Sequence, residues 1–274
     1  MNRFDGAVAA VVGSPVVHSL SPAMHGAALA ARDDAVSHRY LAVEVHAGGL
    51  RDAVREAVAA GLRGLSVTTP LKEEAVALAD IVDDASRAAH SANTLVFGGV
   101  GVEATTTDGD GCCDALVRHG ATVAGSVCAV IGAGATARSV VAALGRRGAA
   151  AVLVVNRTRE RAVAATALAH VARAAEPSDI ALARIVVNCT SVGMGSWESP
   201  IPTGLVGEGT TVLDAVYHPV RTRFLAESAA AGASCIDGVW MLAHQAARQQ
   251  ERWFGALPDA ASMHAAAVAE LARR

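Results

Sequence analysis

Short β-branched apolar runs alternate with stretches of helical periodicity along the whole chain, the pattern of an α/β protein whose strands are buried on both faces. Ala7 to Gly13 predicts a first strand, and Gly13-Ser14-Pro15 turns the chain out of it. Arg39 to Val45 predicts a second strand and Leu50 to Ala60 a helix. Gly64 to Thr69 reads as a strand ending in polar residues; Pro70 stops it, and Leu71-Lys72-Glu73-Glu74 starts a helix. Ser91 to Phe97 predicts a further strand, Gly101 to Thr107 its hairpin partner, and Gly111 to His119 the helix that follows. From Val127 onward the strands recur at βαβ spacing: Val127 to Ile131, Ala151 to Asn156, Ile185 to Thr190, Thr211 to Tyr217 and the short Ser234 to Asp237. Gly238 opens a helix running through Trp253, and Pro258 separates it from a last helix, Asp259 to Arg273. There is no internal repeat and no low-complexity linker, so no tether separates the halves.

Composition narrows the class. The 274 residues suit two modest domains, and a 52% hydrophobic content with only 3% aromatic gives a core of Ala, Val and Leu that favours close helix-on-sheet packing. A net charge of −3 and a pI near 6.4 carry no electrostatic footprint for nucleic acid or an anionic membrane. No apolar run reaches the length of a membrane span. The AVAAVV run behind Arg3 has the outline of a signal peptide, but Asp5 precedes it and Gly13-Ser14-Pro15 ends it early, which favours a strand. Five cysteines with no C-x-x-C spacing, two of them adjacent at Cys112 and Cys113, predict reduced, packed thiols in a cytoplasmic protein and no metal site.

The candidate chemistry begins at Gly132-Ala133-Gly134-Ala135-Thr136-Ala137, placed between the Val127–Ile131 strand and a helix over Arg138 to Leu144. This is the G-x-G-x-x-A form of the dinucleotide fingerprint. Gly132 permits the tight turn, Gly134 lets backbone approach a pyrophosphate, Ala137 lets helix and strand pack closely, and the helix N-terminus offers N–H groups to phosphate. At the end of the next strand stand Asn156-Arg157-Thr158, with Arg161 on the same helix face as Arg157 and no acidic residue to meet a ribose. That favours a 2′-phosphate, with Thr158 as the helix cap. Ser21-Pro22 reads as N-cap and first helical position, leaving the Ser19 hydroxyl on the preceding loop to bind something polar. Lys72 lies on the wrong end of a helix macrodipole; it is either a solvated surface lysine or a ligand group at a strand mouth. Asn93 reads equally as a satisfied buried amide, and Asp108 as a turn residue or N-cap.

Taken together and in order, these segments resemble the shikimate dehydrogenase family. The carriers are Ser19-Leu20-Ser21-Pro22, Val67-Thr68-Thr69-Pro70-Leu71-Lys72, Ala92-Asn93-Thr94, Thr107-Asp108-Gly109, Asn156-Arg157-Thr158, and Gly238 through Ala246 with Met241, Leu242 and Gln245. The resemblance implies an N-terminal α/β substrate domain over residues 1–108 and 239–274, its C-terminal helices returning to it, and a Rossmann-type NADP domain over 109–238. It implies Lys72 and Asp108 as catalytic residues, with Asp108 orienting Lys72, in a reversible NADP-dependent reduction of 3-dehydroshikimate to shikimate. Ser19, Ser21, Ser66, Thr68, Asn93, Tyr217 and Gln245 would bind substrate, Tyr217 having a core aromatic as its other reading. Gly132 to Ala137, Asn156, Arg157, Thr158, Arg161, Thr190, Met194 and Gly238 would bind cofactor, and no metal is implied. The partners implied are a small-molecule substrate, no nucleic acid and no membrane, with a homodimer left open. Three departures stand out: Ser66 and Thr106 occupy positions where the family often has Asn, and the fingerprint reads GAGAT in place of GAGGA. A hydroxyl replaces an amide for one bond but not for a donor-plus-acceptor pair. An NAD-using quinate/shikimate enzyme and a non-catalytic metabolite-sensing relative are the two rival readings.

Overall fold

A computed structural model describes residues 2–32, 38–202 and 204–274. The chain forms two compact units, Met1–Thr107 with Gln245–Arg274, and Asp108–His244. The first begins with β1 (Ala9–Gly13), α1 (Ser21–Ala30), β2 (Tyr40–Glu44), α2 (Leu50–Ala59) and β3 (Gly64–Val67), then α3 (Lys72–Leu78), β4 (Ile81–Val82), α4 (Asp84–Ala89), β5 (Thr94–Gly98) and β6 (Gly101–Thr105). The second runs α5 (Asp108–Arg118), β7 (Val127–Ile131), α6 (Ala135–Arg146), β8 (Ala151–Val155), α7 (Arg159–Ala165), β9 (Ala172–Ala174), β10 (Ile185–Asn188), β11 (Thr211–Asp214), α8 (Arg223–Ala230) and β12 (Ser234–Ile236). Helix α9 (Gly238–Phe254) carries the chain back, and α10 (Ala260–Arg273) ends it.

The second unit's sheet is parallel throughout, in the order β12-β11-β10-β7-β8-β9. Reversed, this is the doubly wound order 3-2-1-4-5-6, with its switch point between β7 and β10. The strands are continuous apolar runs because both faces are covered: Cys128 and Val130 pack with Ala137, Val140 and Leu144 on one face, and Ala129 and Ile131 pack with Phe224 and Leu225 on the other. The first unit's sheet, order β2-β1-β3-β5-β6-β4, is mixed. Strand β1 pairs in parallel with β2 and β3, while β5 runs antiparallel to β3 and forms the expected hairpin with β6. Its core holds Leu50, Leu65, Leu71, Leu95 and Phe97. All five cysteines are free; Cys112, Cys113 and Cys128 are buried, and burial pushes Cys113 and Cys128 up to about 12. No helix among the described residues is long and apolar enough to cross a membrane.

Several local expectations change. Asp108 opens the second unit, and the return to the first comes inside α9 at Gln245 in place of residue 239. Close packing explains both shifts. A Cβ on Gly109 would fall 2.2 Å from the Ser139 carbonyl oxygen of α6, and one on Gly238 would fall 2.7 Å from that of Asp214. Ser21 is not a side-chain cap: α1 starts at Ser21 itself behind Leu20, and it is Ser19 Oγ that accepts the Ser21 N–H at 3.2 Å. Asp108 starts α5 three residues before the expected Gly111 and lies in its first turn. Thr158 sits at the N-cap of α7, yet its side chain makes no capping bond; its carbonyl accepts from Asn156 Nδ2 at 2.8 Å. Helix α6 begins at Ala135, within the glycine turn, behind an extended Gly134.

Candidate functional site

The glycine turn sits at the carboxyl end of β7, beside the switch point. Gly132 has φ +113°, and a Cβ there would lie 3.2 Å from Thr190 Cγ2, so both conformation and space require glycine. A Cβ on Gly134 would meet no protein atom within 4 Å. The protein's own packing does not demand that glycine, and the space in front of it is open. Ala133 and Ala137 are buried, Ala137 completely, as close packing of α6 on β7 requires. Across the switch point, Asn188 Oδ1 accepts from Thr190 N at 3.0 Å and Thr190 Oγ1 at 2.7 Å. Asn188 Nδ2 donates to Asp214 Oδ1 at 2.8 Å. Asp214 also accepts from Val216 N at 3.0 Å and Thr222 Oγ1 at 2.6 Å; burial pushes its carboxyl up while these bonds pull it down. Sequence reading missed Asn188, Asp214 and Thr222; the signal for the first two was a polar residue closing a buried apolar strand, and Thr222 is the N-cap of α8.

Asp108 is tied to this turn. Its Oδ2 accepts from Thr136 Oγ1 at 3.4 Å, and the next residue, Gly109, donates its N–H to Ser139 Oγ at 3.0 Å. At the far end of β8, Arg157, Thr158 and Arg161 are exposed and Asn156 is partly so. Arg159 pairs with Glu176, whereas Arg157 and Arg161 have no ion-pair partner among the described residues. Met194 is exposed, Tyr217 half-buried, and Gly238 packed against the backbone of Asp214 and Val216.

In the first unit the Asn93 amide joins Gln245 to Thr94 and Thr107. Asn93 Nδ2 donates to Thr107 Oγ1 and to Gln245 Oε1, each at 2.9 Å. Its Oδ1 accepts from Thr107 N at 2.9 Å and Thr94 Oγ1 at 2.8 Å. Lys72, half-buried at the start of α3, is anchored to the same strand entry, its carbonyl accepting from Ala92 N at 2.9 Å. It is the only lysine among the 23 basic residues. Thr68 packs its methyl against Gly13, where a Cβ would lie 2.4 Å away. Ser66 is joined by two residues that sequence reading missed: Tyr40 at 2.6 Å and Gln249 at 2.7 Å. The loop carrying Ser19 is held from outside by Arg274, whose guanidinium donates to the carbonyls of His18 at 2.6 Å and Ser19 at 3.2 Å.

Comparison with known proteins covers both units. Residues 11–95 match the shikimate dehydrogenase substrate binding domain, residues 116–192 the shikimate/quinate 5-dehydrogenase family, and residues 238–268 the shikimate 5′-dehydrogenase C-terminal domain. A shikimate dehydrogenase (NADP⁺) of Thermococcus kodakarensis is 37% identical over 260 residues, 94% of each chain. The shikimate 5-dehydrogenase of Thermus thermophilus, solved in complex with NADP(H) and shikimate, superposes with a TM-score of 0.90 at 36% identity, covering 96% of this chain and 98% of that one. A ligand-free 5-ketofructose reductase of Gluconobacter superposes with a TM-score of 0.87 at 27% identity, over 97% and 99%.

Proposed function

The chain belongs to the shikimate dehydrogenase family, and from that premise we propose that it interconverts 3-dehydroshikimate and shikimate with NADP(H). The observation that carries the reading is the bond from Thr136 of the glycine turn to Asp108. It brings a carboxylate suited to a substrate hydroxyl together with a dinucleotide turn inside one unit.

The residues fit the cofactor. The cradle at Gly134 and the α6 N-terminus suit the pyrophosphate. Arg157 and Arg161 suit the 2′-phosphate, since Arg159 is already paired with Glu176. NADPH supplies a hydride, and the chain's own residues do the rest. Hydride arriving at the ketone carbon leaves charge on its oxygen, and Lys72 gives that oxygen a proton; in the oxidation direction Lys72 takes it back. Asp108 accepts a hydrogen bond from a substrate hydroxyl. Asn93, Gln245, Ser19, Ser21, Ser66, Thr68 and Tyr217 hold the ring's carboxylate and hydroxyls. On this reading Met1–Thr107 with the C-terminal helices is the substrate domain and Asp108–His244 the NADP domain, and the free thiols suit a cytoplasmic enzyme.

The test is steady-state oxidation of shikimate and of quinate with NADP⁺ and with NAD⁺. Shikimate with NADP⁺ should give the highest kcat/KM. Preference for NAD⁺ with quinate would replace this reading by its first rival, and no turnover of either acid by the second.

A further inference from the structure

We infer that Tyr40 is a positioning residue for substrate selection, directing its hydroxyl proton onto Ser66, whose own proton goes to Gln249, so that Ser66 meets the substrate with a single, fixed acceptor lone pair. The inference rests on the reading above, in which Ser66 faces substrate hydroxyls. One fixed point sets the direction of each bond: the backbone carbonyl of Asn93, which can only accept. Gln249 Nε2 donates to it at 2.9 Å and to Thr94 Oγ1 at 3.0 Å. That orients the amide, so Gln249 Oε1 is the atom 2.7 Å from Ser66 Oγ, and Ser66 must commit its single proton there. The Tyr40 hydroxyl lies 2.6 Å from the same Ser66 oxygen. With the Ser66 proton committed, the phenol proton must be the one between them. Ser66 has then donated once and accepted once, and one lone pair remains.

Tyr40 is built to hold this orientation. Its ring stacks on His25, centroids 4.1 Å apart and planes within 5°, and packs near Trp253. Burial drives its ionisation well above the ordinary phenol range, so the proton stays on. An asparagine at position 66 would offer a ligand both a donor and an acceptor. Ser66 between Gln249 and Tyr40 offers one lone pair alone, so the ligand group that meets it must carry a hydroxyl proton; a carbonyl or an ether there goes unmatched.

A double-mutant cycle on the full-length enzyme tests this. Phe at 40 keeps the ring on His25 and removes only the hydroxyl. Tyr40→Phe should raise KM for shikimate about 3- to 10-fold, the worth of one hydrogen bond, with kcat within about twofold. In a Ser66→Ala background the same change should move KM less than about twofold, because the proton no longer has its target. An unchanged KM in Tyr40→Phe, or an equal rise in both backgrounds, overturns the inference. Wild-type turnover of shikimate is measured first; its absence removes the proposed function itself, whereas an active enzyme with an uncoupled cycle removes only the role of Tyr40.

Discussion

Lys72 is where a single residue carries the most. In a chain that uses arginine for every other basic side chain, one lysine stands at the head of α3, behind a strand that ends in polar residues. A guanidinium does not give up its proton near neutral pH, while an ammonium does so readily enough to work as an acid and a base. Lys72→Met should lower kcat by about 10²–10⁴ with much less change in KM, the signature of a group that acts in the transition state. Stopped-flow or steady-state rates that stay near wild type would return Lys72 to the solvated surface. Ser19 illustrates what a motif cannot say. Ser-x-Ser-Pro suggested a cap at Ser21, yet the helix already includes Ser21, behind Leu20, and the turn closes one step earlier, on Ser19 Oγ. Ser19→Ala should therefore cost about 0.5–1 kcal/mol of stability as well as raising KM, read as a lower Tm. A thermally silent variant would mean the bond contributes nothing net.

At the scale of elements, apolar runs covered on both faces were legible, and elements that bury little were not. Strand β7 runs from Val127 to Ile131 as its apolar run predicts, because a strand covered on both faces has no polar position to blur its ends. The two-residue β4, the short α4 and the edge strand β9 bury too little to leave a pattern. Helix α7 tests cofactor choice. Replacing both Arg157 and Arg161 by Ala should weaken NADP⁺ at least about 10²-fold, two charge-assisted contacts' worth, and leave NAD⁺ nearly unchanged. Arg159→Ala, which loses only its pair with Glu176, should do neither. Isothermal titration with both nucleotides separates the cases, and equal loss for both would assign the arginines to the fold. Helix α10 ends in a clamp on the Ser19 loop: Arg274, itself held by Glu270 at 3.1 Å. Arg274→Ala should raise KM for shikimate several-fold with kcat and Tm little changed, checked by steady-state kinetics beside a thermal melt.

Across the whole molecule, the two-domain plan was legible because a dinucleotide fingerprint and a βαβ spacing are local signals. The polar network was not. Ser66 meets Gln249 across 183 residues of sequence and Asn93 meets Gln245 across 152, so no window along the chain contains both partners. The same burial that hides these groups makes stability depend on pH. His25 is buried, and burial lowers its pKa from 6.5 to about 3. Between those values the unfolded chain binds a proton that the folded chain refuses, so this stability is present in full above 6.5 and is lost as pH falls toward 3. Its share is about 1.4 kcal/mol per pH unit. Urea unfolding at pH 4.5 and 7, with His25→Asn as comparison, should show a smaller pH dependence in the variant; identical dependence would assign the effect to other groups.

Selectivity for NADP in shikimate oxidation is measured by one pair of assays. Purified enzyme is given shikimate with NADP⁺ and NAD⁺ in turn, and kcat/KM is taken from initial rates of nicotinamide reduction. The enzyme should turn over both, with a ratio of at least about 10² in favour of NADP⁺, supplied by Arg157 and Arg161. A ratio near one, or reduction of NAD⁺ alone, would contradict that selectivity.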